Sequence, residues 1–232
     1  MEASPESLPN ARILALFAKQ PRVGSVKTRL AAASSANLAA LFAEAFLLDL
    51  LDRFATTAAE RFLVFTPADA EEYFGNIAAG RYRICPQTTG DLGARLASFI
   101  QDHLRTGRER IVILGTDSPT LPPPIVEQAF EALNTADVVL GPALDGGYYL
   151  LGCTRKPPPI FAGVAWSGPR VLADTIALLA DPAWRVGLLP PWYDVDTLDD
   201  WHMLRGHVLA MRRAGVDPGV PRTERLLACP PP

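Results

Sequence analysis

Short apolar runs alternate along this chain with longer stretches in which apolar residues recur every third or fourth position. The runs Ile13 to Phe17, Phe62 to Phe65, Ile111 to Leu114, Val138 to Leu140, Tyr148 to Leu151 and Val186 to Leu189 read as strands, with Tyr82 to Cys85 a shorter one. Leu38, Leu41, Phe42, Ala45 and Phe46 share one helical face and mark a helix running to Phe54. The same spacing predicts helices around Ala70 to Ile77, over Leu92 to His103, from Pro122–Pro124 to Leu133, over Arg170 to Leu179 and over Leu198 to Ala214. Proline suits the start of the fourth of these, because the first helical N–H groups have no partner to lose. Strands alternating with helices imply an α/β fold of three layers, α/β/α and Rossmann-like. Its sheet is mostly parallel, with helices on both faces and right-handed crossovers. The Gly146-Gly147 turn joins two strands and predicts an antiparallel pair on one edge of that sheet.

Composition narrows the picture. The 232 residues show no repeat and no central linker, so a single domain over 11–214 is expected, with 1–10 and the proline-containing 215–232 as flexible ends. Hydrophobic residues make up 49% and charged residues 20%, enough to bury an ordinary core. A net charge of −3 argues against a general nucleic-acid binder. Cys85, Cys153 and Cys229 are far apart and form no C-x-x-C pair, so neither a disulfide framework nor a structural zinc site is expected. The polar start of the chain lacks a basic and an apolar signal region, and no run is long enough to span a bilayer. A cytoplasmic protein is the expectation.

Against that acidic background one loop is locally cationic. Between the first strand and the first helical stretch lie Lys19, Arg22, Lys27 and Arg29, with Gly24 and Ser25 among them. A strand-to-helix loop with glycine and several cations suits phosphates, since the backbone can approach closely and the charges neutralise. The spacing is neither the Walker pattern nor the dinucleotide glycine pattern. A solvated basic turn is the plainer alternative.

Three acidic motifs also fall at strand ends, where ligands bind in a parallel sheet. Asp117, in Gly115-Thr116-Asp117-Ser118-Pro119, suits a hard cation such as Mg²⁺ or Mn²⁺. Capping of the next helix is the alternative, although the prolines at 122–124 set that helix several residues later. Asp145-Gly146-Gly147-Tyr148 either meets a sugar hydroxyl, a metal or an acceptor, or is simply a tight turn. Asp194 and Asp196 point the same way in extended chain, so one or both could complete a metal site with Asp117. Thr197 or Asp196 could instead cap the last helix, with Asp199 and Asp200 in its first turn. The polar loop Gly90, Asp91, Leu92, Gly93, Ala94, Arg95 is a candidate for holding a base or ribose, and Trp166 for stacking on a ligand. His103, His202 and His207 show no metal-like clustering.

Taken in order, F-A-K-x-P-x-x-G-x-V-K-T-R-L, G-D-L-G-x-R, G-T-D-S-P-x-L-P, G-P-A-x-D-G-G-Y-Y-L-L-G, W-S and D-V-D-T-x-x-D resemble the rSAM/selenodomain-associated transferase family, over roughly Arg12 to Leu204. Gly168 departs from the family, which commonly has Thr there. The resemblance implies a glycosyltransferase-A-like, nucleotide-diphospho-sugar transferase fold, shared with guanylyltransferases, so fold alone does not choose the reaction. It implies nucleotide contacts from Lys19, Gly24, Lys27, Arg29, Gly90, Asp91 and Arg95, and a Mg²⁺ or Mn²⁺ ion on Asp117 and Asp196. Sugar or acceptor contacts would come from Asp145, Gly146, Gly147, Tyr148 and Trp166, with Lys27 and Asp145 as catalytic candidates. The expected activity is metal-dependent transfer of a sugar from a nucleotide-diphosphate sugar to a small acceptor. A nucleotidyltransferase releasing pyrophosphate is the rival enzyme, and a non-catalytic nucleotide-binding protein the third reading.

Overall fold

The structure is a computed structural model that describes residues 11–104, 109–154, 157–166 and 168–228. The expectations for residues 1–10, Ser167 and Cys229 lie outside the described residues. Seven strands form one sheet: β1 (Arg12–Lys19), β2 (Glu60–Thr66), β3 (Arg83–Pro86), β4 (Arg110–Leu114), β5 (Val138–Pro142), β6 (Tyr148–Thr154) and β7 (Val186–Leu188). Their spatial order is β3-β2-β1-β4-β6-β5-β7, and all neighbours run parallel except β6, which is antiparallel to both β4 and β5. The expected antiparallel pair therefore exists but not at an edge. β6 is wedged between β4 and β5, and β7 takes the edge beyond them.

Helices cover both faces: α1 (Thr28–Ala33), α2 (Ala36–Arg53), α3 (Glu71–Ala78), α4 (Leu92–His103), α5 (Pro123–Ala132), α6 (Val171–Leu178), α7 (Leu198–Arg213) and α8 (Pro221–Leu227). Strand periodicity assigns the faces. Leu14 and Leu16 of β1, Leu63 and Phe65 of β2, and Val112 and Leu114 of β4 pack with α2, α3 and α5. The alternate residues Ile13, Ala15, Phe62, Val64, Ile111 and Ile113 pack with Leu96, Phe99 and Ile100 of α4. Central strands buried on both sides explain the unbroken apolar runs. Each such buried Leu, Ile or Phe contributes about 1.5–3 kcal/mol relative to exposure.

A third cluster corrects the sequence reading. Phe42 and Phe46 of α2, Trp201, Leu204 and Val208 of α7, and Val220 and Leu227 around α8 pack together. Within the end expected to be flexible, Pro221–Leu227 form α8, and Val220 just before it is fully buried. Pro221, read from the sequence as a mark of irregularity, occupies the first turn of that helix. The short helix α1 was not separated from α2 in the sequence, because Ser34 and Ser35 interrupt an otherwise continuous helical composition. Ser35 caps α2 by accepting a hydrogen bond from the Leu38 N–H at 3.1 Å.

Candidate functional site

The carboxyl ends of β1, β4 and β5 open on one side of the sheet, and the antiparallel β6 begins there. A cavity of 260 Å³ at this end is lined by Arg29, Leu92, Asp117, Asp145, Tyr148 and Trp166, with Asp194 and Asp196 on its floor. Neighbouring recesses of 240 Å³ and 210 Å³ share Asp117 with it. The first of these is walled by Phe17, Lys19, Ser25 and Lys27. The second is mainly apolar, with Phe17, Leu92, Leu96 and Tyr149.

Asp117 stands in the loop after β4, and capping does not explain it, because α5 begins at Pro123 with Pro122 as its cap. The loops carrying the acids are joined directly: the Val195 N–H donates to the Asp117 carbonyl at 2.9 Å. Thr197 caps α7 in a reciprocal capping box with Asp200. That leaves the Asp196 carboxylate to the cleft, where it is 39% exposed and Asp117 46%. Between them sits Lys27. Its Nζ donates to Asp117 Oδ1 at 2.5 Å, to the Val195 carbonyl at 2.7 Å and to Asp196 Oδ1 at 3.4 Å. The expectation of Lys27 on nucleotide phosphates differs from this arrangement, since the ammonium is enclosed against the carboxylates and the side chain is only 3% exposed.

The site carries more negative than positive charge. Burial, reinforced by Asp117 and more weakly by Asp145 and Asp196, pushes the Asp194 carboxyl up to about 7, although the Ser118 hydroxyl donates to it. Asp196 is raised as well, by burial and Asp117 against the opposing pull of Lys27. Burial works to lower the Lys27 pKa, but Asp117 and Asp196 outweigh it and hold the ammonium above its usual range. This donor set fits a hard divalent cation: all oxygen, half-open to solvent and short of positive charge. Among the described residues no three acidic, His or Cys side chains converge closely enough to hold an ion alone. Asp117 and Asp196 would supply two ligands, leaving the other positions to phosphate oxygens and water, as is usual for Mg²⁺.

The walls match the sequence expectations unevenly. Lys19 Nζ donates to the Ser25 carbonyl at 2.6 Å, and Gly24, at φ 77°, makes the turn that brings Ser25 back. Asp145 accepts from the Gly147 N–H at 2.8 Å. Gly146 has φ 92°, and a Cβ there would collide with the Pro169 carbonyl. Tyr148 meets the Trp166 ring edge-on at 6.2 Å, and burial raises its hydroxyl to about 12 against a smaller opposing effect of Thr175. On the α4 side the picture changes. Asp91 caps α4 by accepting from the Ala94 N–H at 2.8 Å. Arg95 donates back to the Gly90 carbonyl at 2.9 Å and to Gln87 at 3.3 Å. These three residues build the loop, and Leu92 is what reaches the cavity. Gly93 is required because the Trp166 indole lies where its Cβ would be. The sequence assigns no site role to the Phe17 side chain or the Val195 carbonyl, because neither carries a chemical signal in its residue type.

Comparison with known proteins agrees with this architecture. A family model described as "Uncharacterized protein conserved in bacteria (DUF2064)" matches residues 50–168. No curated protein sequence matches. Among solved structures, a Desulfovibrio desulfuricans G20 protein described provisionally as a nucleotide-diphospho-sugar transferase is 30% identical. The match covers 95% of this chain and 97% of that one, with a TM-score of 0.83. 4-Diphosphocytidyl-2C-methyl-D-erythritol synthase from Anaerococcus prevotii is similar in fold, at 12% identity, 86% and 97% coverage and a TM-score of 0.58. A nucleotidyl transferase from Methanothermobacter is similar at 13% identity, 87% and 99% coverage and a TM-score of 0.55. The fold is that of nucleotide-diphospho-sugar transferases and nucleotidyltransferases, and no helix among the described residues is long and apolar enough to cross a membrane. On the family match and the extended 30% identity, the chain belongs to the DUF2064 family.

Proposed function

We propose that the protein is a metal-dependent glycosyltransferase that moves a sugar from a nucleotide-diphosphate sugar to a small-molecule acceptor. The observation that carries this reading is a two-sided cleft. Two recesses share Asp117 and Asp196: Lys19 and Lys27 border one, and Asp145, Tyr148 and Trp166, with Arg29 at the same cavity, border the other. Cations on the first side suit a diphosphate, and carboxylates beside aromatic rings on the second suit sugar hydroxyls and ring faces. The Desulfovibrio relative's description and the resemblance to the rSAM/selenodomain-associated transferases support the same reading.

In this reaction the bond between the anomeric carbon and a diphosphate oxygen breaks, and a bond from that carbon to an acceptor oxygen forms. Asp117 and Asp196 would hold a divalent ion, which when bound would supply positive charge beside the diphosphate. Lys19 and Arg29 orient the phosphates and add to that charge. Asp145, fixed by the Gly147 N–H, is positioned to take the acceptor's proton or to bind a sugar hydroxyl. Ser118 holds the Asp194 side chain beneath them.

A second reading is a nucleotidyltransferase, in which an acceptor attacks the α-phosphate of a nucleoside triphosphate and pyrophosphate leaves. The cationic first loop favours it, as do the names of the Anaerococcus and Methanothermobacter proteins that share the fold. The leaving product separates the two. A panel of nucleotide sugars and nucleoside triphosphates with Mn²⁺ is read first by thermal shift, then by product. Ligand at a hundred times its Kd adds about 2.7 kcal/mol, a shift on the order of 5 to 10 °C for a chain of this size. Nucleoside diphosphate release is expected. Pyrophosphate release selects the second reading, and no shift with any member overturns both.

A further inference from the structure

We propose that Lys27 is the resident counter-cation of the Asp117–Asp196 pair, and that a divalent cation entering the site displaces its ammonium toward the phosphate side of the cleft. The inference rests on the metal-dependent reading above and assigns Lys27 a positioning role within it.

Three observations carry it. First, the ammonium is saturated. It has three donors, and three acceptors surround it: Asp117 Oδ1, the Val195 carbonyl and Asp196 Oδ1. The Phe46 ring closes the remaining side, 4.9 Å from Nζ. No donor is left over for a phosphate while this arrangement holds. Second, the two carboxylates it holds are the ones a hard cation would use. Two positive charges crowded onto one carboxylate pair repel each other, so Lys27 and the ion compete for it. Third, the neighbourhood lets the side chain move without the backbone. Lys27 is held at φ 44° and ψ 48°, an unusual left-handed conformation for a non-glycine residue, and its carbonyl accepts the Ala31 N–H at 2.8 Å. The flexible side chain borders two recesses. One, of 240 Å³, leads to Lys19 and Ser25, and the other, of 190 Å³, leads to Thr28 and Arg29.

The consequence is an ordered site. Without metal, Lys27 keeps two repelling carboxylates together. With metal, the freed ammonium joins Lys19 and Arg29, so that metal loading prepares the phosphate-binding side.

The test uses the metal alone. The chain has three lysines, Lys19, Lys27 and Lys156, which makes amine acetylation followed by peptide mass mapping straightforward to read. Binding of Mn²⁺ is measured in parallel by calorimetry. In metal-free protein Lys27 is expected to acetylate far more slowly than Lys19. Saturating Mn²⁺ should bring the Lys27 rate up toward that of Lys19, because the displaced side chain leaves the carboxylates for the recess bordered by Lys19 and Ser25. In Lys27→Met, Mn²⁺ should bind about tenfold more tightly, because the competing charge is gone. Bound Mn²⁺ with Lys27 still protected, or unchanged or weaker Mn²⁺ binding in a folded Lys27→Met, overturns the inference and leaves the metal site standing. Absence of Mn²⁺ binding to the wild-type protein overturns the metal reading and this inference together.

Discussion

Two acidic sites in this molecule differ in how their charge is met. Asp49 of α2 is fully buried, yet every demand it makes is answered. It accepts from the Arg222 N–H and guanidinium at 3.2 and 3.1 Å, and from the Thr223 N–H and hydroxyl at 2.9 and 2.8 Å. The cluster around Asp117 brings four carboxylates to one cavity, with Lys27 and Arg29 as the nearby cations. A buried carboxylate with a full set of donors is a fastening. A group of carboxylates short of positive charge, in a cleft at the strand ends, suits a cationic ligand. Counting acids would not tell the two apart, whereas counting their partners does.

That contrast can be attacked from both sides. Removing a carboxylate from the cleft should hit chemistry hardest: Asp117→Ala is expected to lower turnover on the order of 10³-fold. Nucleoside diphosphate release measures it, and an active Asp117→Ala enzyme would remove Asp117 from the mechanism. The fastening should respond in the opposite currency. Asp49→Ala strands the buried N–H and hydroxyl of Thr223, while Arg222 keeps Asp52, and should cost about 2–4 kcal/mol, or on the order of 10 °C in melting temperature. Calorimetry checks this, and the shift produced by nucleotide ligand should survive. A third substitution probes the hairpin proposed to face the acceptor. Gly146→Ala combines a positive φ with a collision against the Pro169 carbonyl, and should cost about 2 kcal/mol. It should also depress kcat/KM for the acceptor more than nucleotide binding; equal losses in both would mean that the hairpin does not face the acceptor. The smallest effect has the reverse sign. Asp194→Asn removes one of the crowded charges while keeping an oxygen for Ser118 to donate to, so the metal-free protein should gain about 1 kcal/mol. A loss of stability in chelator-treated protein would contradict the charge excess.

Much of the fold was legible because its signals are local. All seven strands and the main helices follow from apolar periodicity, and β1, β2 and β4 read cleanly because burial on both faces leaves no polar residue to break them. What the sequence could not show was order in space. Nothing in Tyr148 to Leu151 says that this strand enters between β4 and β5, because pairing is a long-range property. The tail from Gly215 was misread for a related reason. Its proline content signals irregularity, but the packing of Val220 and Leu227 and the Asp49 bonds order it. In the site, Asp117, Asp194 and Asp196 were recognisable as strand-end acids, and the capping box at Thr197 confirmed the alternative role of Asp200. Asp91 and Arg95 were less readable, since a polar side chain that serves its own loop has the same composition as one that serves a ligand. Lys27 was the hardest. Its residue type points to phosphate, and only the folded chain reveals which anions it reaches first.

The contact between Gly146 and Pro169 has an evolutionary side. The hairpin before β6 and the segment before α6 are locked together, with the Leu172 N–H donating to the Gly146 carbonyl at 2.9 Å and no room for a side chain at the junction. Neither piece can drift alone without breaking the other. Descendants of this fold that take up new acceptors would therefore be expected to exchange both segments as a unit, leaving the β1 and β4 loops untouched. Recombination or grafting across that boundary is a more promising route to altered selectivity than single substitutions within it.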